Sequence, residues 1–170
     1  DTVHARRVDG AGVPRAAGAV LSGHGPDVAT IEAARERLAG VVERTPCALS
    51  HTLSELTGTR CWVKLENLQM TGSFKERGAA NLLLQLGPDE RRRGVIAASA
   101  GNHGLAVAHH AAKLGIPAVI VMPEWAPLVK VTSARRDGAE VILSGGNFDE
   151  AYDHAAEIGA ARGFFFVHPF

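Results

Sequence analysis

The sequence is poor in cysteine, lysine and aromatic rings, and it has no excess of charge of either sign. Two cysteines, Cys47 and Cys61, are too few for a disulfide scaffold. Neither has the CxxC partner that would suggest a metal ligand, so no metal site is expected. Eighteen basic against 18 acidic residues leave zero net charge, which argues against a nucleic-acid partner. No apolar run approaches the length of a membrane-spanning helix, so no membrane association is expected either. A reduced, cytoplasmic setting is the default for such a chain. With aromatics at 5%, the core must be built from Val, Ile, Leu and Ala, which suits close packing of helices on a sheet. Only four lysines (Lys64, Lys75, Lys113 and Lys130) stand beside 14 arginines, leaving few positions for amine chemistry.

What is present is a globular composition, 46% hydrophobic and 21% charged. Residue 1 is Asp, and 164–170 read as an apolar strand that stops abruptly, so the chain reads as a fragment. Residues 1–26 carry Gly, Pro, Ala and Arg without apolar periodicity and read as a flexible arm. The arm is Arg-rich like a transit peptide, but it holds Asp1 and Asp9 and no apolar signal core.

From Asp27 the spacing of Ile31, Ala34, Leu38 and Val41 or Val42 predicts a helix ended by Pro46. A short helix is expected around Leu49–Leu56, closed by Gly58, then a strand over Arg60–Glu66. Ser73 is placed to cap a helix over Phe74–Leu86. Beyond Gly94 the pattern alternates. Strands are expected at Gly94–Ala98, Ala118–Met122, Ala139–Leu143 and Phe164–Val167. Helices are expected at Leu105–Leu114, Pro127–Asp137 and 147–161, the last opened by Asn147 with Glu150 in a capping box. Alternating strands and helices with short connections predict a parallel sheet covered by helices.

Two segments could carry chemistry. Ser99-Ala100-Gly101-Asn102-His103-Gly104 follows a buried strand and runs into a helix N-terminus, which suits an anion or simply a tight turn. It lacks the glycines of a dinucleotide fingerprint and the Gly-Lys-Ser/Thr of a P-loop. In Thr71-Gly72-Ser73-Phe74-Lys75-Glu76-Arg77-Gly78, Lys75 falls in a first helical turn, where the positive helix end opposes an ammonium. Either a Schiff-base lysine or a solvated charged turn satisfies that pattern. The eight histidines form no i, i+4 pair, and His109 and His110 read as surface or half-buried groups. Gly145-Gly146 reads as a helix cap.

Taken together, Lys64-Leu65-Glu66-Asn67-Leu68-Gln69-Met70-Thr71-Gly72-Ser73-Phe74-Lys75-Glu76-Arg77-Gly78-Ala79 and Ser99-Ala100-Gly101-Asn102-His103 resemble the threonine/serine dehydratases that use pyridoxal phosphate. Val121-Met122-Pro123, Ala126-Pro127, Lys130-Val131, Gly138-Ala139-Glu140-Val141 and Val167-His168-Pro169-Phe170 extend the resemblance from about Ile31 to the end. It implies an α/β fold-type-II enzyme: a three-layer, parallel-sheet small lobe over 94–168 and, over 27–93, the N-terminal part of a large lobe completed beyond residue 170. It also implies pyridoxal 5'-phosphate, with Lys75 as the Schiff-base residue, Phe74 flanking the ring and Asn102 on the ring's 3′-oxygen. Ser99, Ala100, Gly101, Asn102 and His103 would hold the carboxylate of a small amino-acid substrate. The implied activity is a threonine ammonia-lyase that also takes serine, in a homo-oligomer serving isoleucine biosynthesis. The family's glycine-rich phosphate loop would lie beyond Phe170, so the 170 residues alone are expected to be inactive. Serine racemase, hydroxyaspartate dehydratase, threonine synthase and a small non-catalytic α/β binding module are the alternatives. Racemase relatives carry Ser where this chain has Ala100, and Gly104-Leu105-Ala106 replaces the family's frequent Ala-Gln-Gly.

Overall fold

The computed structural model describes residues 25–169; the expected arm, except its last two residues, and Phe170 lie outside them. Helix α1 (Val28–Arg37) starts at Asp27, whose carboxylate accepts the Thr30 N–H at 2.8 Å. Strand β1 (Cys47–Leu49) precedes α2 (His51–Thr57), which Gly58 closes in the left-handed conformation at φ 66°. Strand β2 (Trp62–Lys64), shorter than the expected Arg60–Glu66, pairs antiparallel with β1. A 3₁₀ turn (Glu66–Leu68) leads to α3 (Lys75–Leu84) and α4 (Pro88–Arg93).

The rest alternates as expected: β3 (Val95–Ala98), α5 (Asn102–Leu114), β4 (Ala118–Met122), α6 (Leu128–Arg136), β5 (Glu140–Leu143), α7 (Phe148–Arg162) and β6 (Phe165–Phe166). The strands form one parallel sheet in the order β5-β4-β3-β6. Two residues per pleat divide the core into two layers. Val95, Ala97, Ile120 and Met122 pack with Leu105, Ala106 and Ala108 of α5, Val131 and Ala134 of α6, and Ala79 and Leu83 of α3. Ile96, Ala98, Val119 and Val121 face Ala151 and Ala155 of α7. Helix, sheet and helix are thus three layers, built from small aliphatic side chains as the scarcity of aromatics requires. Helix α3 belongs to this same core, so the packing continues across residues 93 and 94.

Asn147 caps α7 as expected, accepting the Glu150 N–H at 3.0 Å, while the Glu150 carboxylate accepts the N–H of Gly146 at 2.7 Å, one residue before the cap, so the box is not closed on Asn147 itself. Among the described residues, no helix is long and apolar enough to cross a membrane. Among those residues, too, no group of three or more His, Cys, Asp or Glu side chains is placed to hold a metal ion.

Candidate active site

Two helix N-termini and one strand exit define the site. The first is that of α3. Gly72, at φ 76°, turns the chain in a conformation that favours glycine, and buried Ser73 accepts the Lys75 N–H on its Oγ at 3.3 Å. This turn delivers Lys75 half-buried, with Nζ donating to Pro169 O at 2.6 Å. Nζ also lies 5.5 Å from the centre of the Phe74 ring, which is 62% exposed.

The base of α3 is clamped from the preceding segment. Arg77 donates to both oxygens of Glu66 at 2.8 Å, and Thr45 donates to Glu66 Oε1 at 2.6 Å. The Arg77 bonds, aided by Thr45, hold the Glu66 carboxyl down at about 2. Gln69 closes the network by accepting the Glu43 N–H at 3.1 Å and donating to Glu43 O at 3.0 Å.

The second N-terminus is that of α5. Ser99 donates its N–H to Val121 O at 2.9 Å, extending the sheet by one residue, and its Oγ accepts the Gly101 N–H at 3.1 Å. The helix starts at Asn102 with no side-chain cap on its first amides. A Cβ placed on Gly101 would meet nothing within 4 Å, so the turn opens onto free space, whereas one on Gly104 would meet Ile120 Cγ2 and Ser99 O at 2.9 Å. Asn102 is exposed, and its Oδ1 accepts from Lys130 Nζ at 2.9 Å. An ammonium has no acceptor, so this contact turns the amide N–H₂ of Asn102 away from Lys130. His103 is buried, its Nε2 3.0 Å from Val167 O. Burial, with the Lys75 and His168 charges beside it, pushes the His103 ring below its ordinary range, so it is neutral with the proton on Nε2.

The strand exit joins the two. Val167 O meets His103 of α5 and Pro169 O meets Lys75 of α3, so residues 167–169 bridge both helix starts. Lys75 and the Ser99–His103 turn, singled out in the sequence, therefore face one region. Pro169 and Lys130, which no site motif singles out in the sequence, also border this region. His110, expected at the surface or half-buried, is buried at 1% against the fully buried Glu76. Glu76 heads the Ala79, Ala80 and Leu83 stripe at helical spacing, a pattern that marks an acid on a buried face.

The donor set suits a flat, anionic, aldehyde-bearing aromatic. A primary amine sits at a helix start, an exposed aromatic face stands beside it, and an uncapped helix N-terminus opens onto free space opposite.

Comparison with known proteins points the same way. Residues 38–170 match the family described as pyridoxal-phosphate dependent enzymes. The chain is 55% identical over 140 residues to an L-threonine ammonia-lyase of Thermotoga maritima, covering 82% of this chain and 35% of that protein. The processed form of threonine deaminase isoform 2 from Solanum lycopersicum superposes with a TM-score of 0.74 at 36% identity, over 86% of this chain and 42% of that one. Maize serine racemase superposes at 0.80 with 33% identity, over 86% and 45% of the two chains. The chain thus spans about a third of the length of the curated relative and under half of each solved structure.

Proposed function

The chain belongs to the pyridoxal-phosphate-dependent enzyme family, and from that premise we propose that the protein is an L-threonine ammonia-lyase. It converts L-threonine to 2-oxobutanoate and ammonia, and L-serine to pyruvate and ammonia. One juxtaposition carries this proposal: the Lys75 amine and the Ser99–His103 turn are tied to the same strand exit, through Pro169 O at 2.6 Å and Val167 O at 3.0 Å.

When bound, pyridoxal phosphate supplies an electron sink for the charge left at Cα once its proton departs. Lys75 Nζ would hold the cofactor and, freed when the substrate's amino group takes its place there, would take that proton, since a neutral amine serves as both nucleophile and base. Phe74 offers its exposed ring as one wall for the cofactor. Asn102, its Oδ1 occupied by Lys130, would offer its N–H₂ to the cofactor's ring oxygen. The Ser99, Ala100, Gly101, Asn102 and His103 backbone holds the substrate carboxylate at the start of α5, where the helix field favours an anion. His103 is spent on Val167 O and stays neutral, so it orients the turn and transfers no proton. The β-hydroxyl leaves as water, and a water then replaces the amino group at Cα, leaving the 2-oxo acid and ammonia.

Racemisation is the second reading, favoured by the superposition on maize serine racemase. Ala100 speaks against it, because a methyl group on the turn can neither give nor take a proton. We further propose a cytoplasmic homo-oligomer in amino-acid metabolism whose 2-oxobutanoate serves isoleucine synthesis. We assign 27–93 to the large lobe and 94–168 to the small one, with α3 reaching from the first into the core of the second. The test is L-threonine deamination by the full-length protein. Release of 2-oxobutanoate that disappears in Lys75→Ala is expected. Full turnover in Lys75→Ala, or none in the wild-type protein loaded with cofactor, would refute the proposal.

A further inference from the structure

Glu76 is the second residue of α3, and His110 lies two turns along α5 from His103. Both are buried, at 0% and 1% exposure, and neither has a part in the chemistry above. Glu76 uses both carboxylate oxygens. Oε1 accepts the backbone N–H of Thr71, and Oε2 lies 3.3 Å from His110 Nε2. Around His110, burial lowers its affinity for a proton, the Glu76 charge raises it, and His109 and Lys113 of the same helix lower it. Apolar residues at 76 and 110 would pack α3 on α5 with less desolvation cost than an acid and an imidazole. What they could not do is hold the backbone of the 71–74 turn, the turn that aims Lys75, to the helix that begins at Asn102.

We infer that Glu76 and His110 are a positioning pair that sets Lys75 against the N-terminus of α5. Glu76 grips the turn before Lys75 through Thr71, and His110 fixes Glu76 from the opposite helix. A shift of the lysine along α3, or of α3 along α5, breaks one of these two contacts. The inference rests on the reading of Lys75 as the cofactor-holding lysine.

The test uses the full-length holoenzyme and the double variant Glu76→Met/His110→Leu, which keeps the packing and removes the pair. Its apoprotein keeps the wild-type Tm, because apolar replacement of a buried pair is well tolerated. Its kcat for L-threonine falls by about tenfold or more, with KM changed by less than about threefold, and its cofactor dissociation constant rises by about tenfold. Glu76→Gln, which keeps an acceptor for Thr71 N–H, recovers most of both losses. Wild-type kcat and cofactor affinity in the double variant overturn the inference, and so does a Glu76→Gln protein as impaired as the double variant. If the double variant does not fold, His110→Gln gives the second reading: reduced kcat and weaker cofactor binding at unchanged apoprotein Tm support the pair, and wild-type values overturn it. Lys75→Ala is measured alongside. Cofactor still covalently attached in Lys75→Ala removes the underlying reading, whatever the pair does.

Discussion

Glu66 is the residue whose charge the fold uses most visibly. Arg77 lies bidentate on it and Thr45 donates to one of its oxygens, so the carboxyl titrates at about 2 rather than near 4.5. A carboxyl whose folded value is depressed adds stability above its unfolded value and loses it as pH falls through the folded one. Glu66 therefore contributes fully above about pH 4.5, and that contribution drains away between 4.5 and 2. In thermal unfolding of the full-length protein, Glu66→Gln is expected to cost about 1–2 kcal/mol at neutral pH and to flatten the acid limb of stability against pH. An acid limb identical to wild type would contradict the role given to Arg77. Ala100 makes a second prediction at this scale. Wild-type protein given L-serine should release pyruvate with little D-serine, and Ala100→Ser should raise the share of D-serine; chiral analysis of the products reads both. D-serine formed by the wild type as fast as pyruvate would contradict the assignment. Lys75 was visible in the sequence only through the motif around it, because one lysine in a charged helical turn is equally well a solvated one. His110 was misread because adjacent histidines on a helix give no periodicity, and its partner stands 34 residues away in sequence.

At the scale of elements, α5 matters most, because its start is the proposed anion-holding end. The residue pattern predicts this helix from Leu105, with Gly104 in the preceding loop. The structure begins it at Asn102, inside the motif. Gly104 is there for close approach: a Cβ would meet Ile120 Cγ2 and Ser99 O at 2.9 Å, pushing the helix start off the sheet. Gly104→Ala should therefore destabilise the full-length protein by about 1–3 kcal/mol in urea unfolding. Gly101→Ala, whose Cβ would meet nothing within 4 Å, should change stability by under about 0.5 kcal/mol. Equal losses in the two would contradict this account of α5. Strands β3 and β4 were legible because continuous apolar runs bounded by small residues have few other uses. Strand β1 was not, because three residues after Pro46 carry no period, and only pairing with β2 makes them a strand. Helix α4 was missed for a related reason. Its residues are Pro, acids and arginines with no apolar stripe, and it is held by the Glu90 carboxylate on the Gly87 N–H at 2.7 Å.

For the whole molecule, the strand order β5-β4-β3-β6 brings the distant parts of the site together. Strand β6 pairs beside β3, so its exit lies next to the turn after β3 and can reach both His103 and Lys75. Ligands of parallel sheets bind beyond the carboxyl ends of the strands, and the turn after β3 and the β6 exit are both such ends. The alternation of strands and helices announced this layout. That α3 shares its core is not legible from residues alone, because the stripe of Ala79, Ala80 and Leu83 names no partner until α5 lies against it. That packing ties Lys75, one of the four lysines of this chain, to the strand exit through Pro169 O. Borohydride reduction of the full-length protein loaded with pyridoxal phosphate, followed by peptide mapping, tests this most directly. The account predicts a single reduced cofactor adduct on the peptide carrying Lys75. An adduct on Lys64, Lys113, Lys130 or a lysine elsewhere in the protein, with Lys75 unmodified, would contradict it.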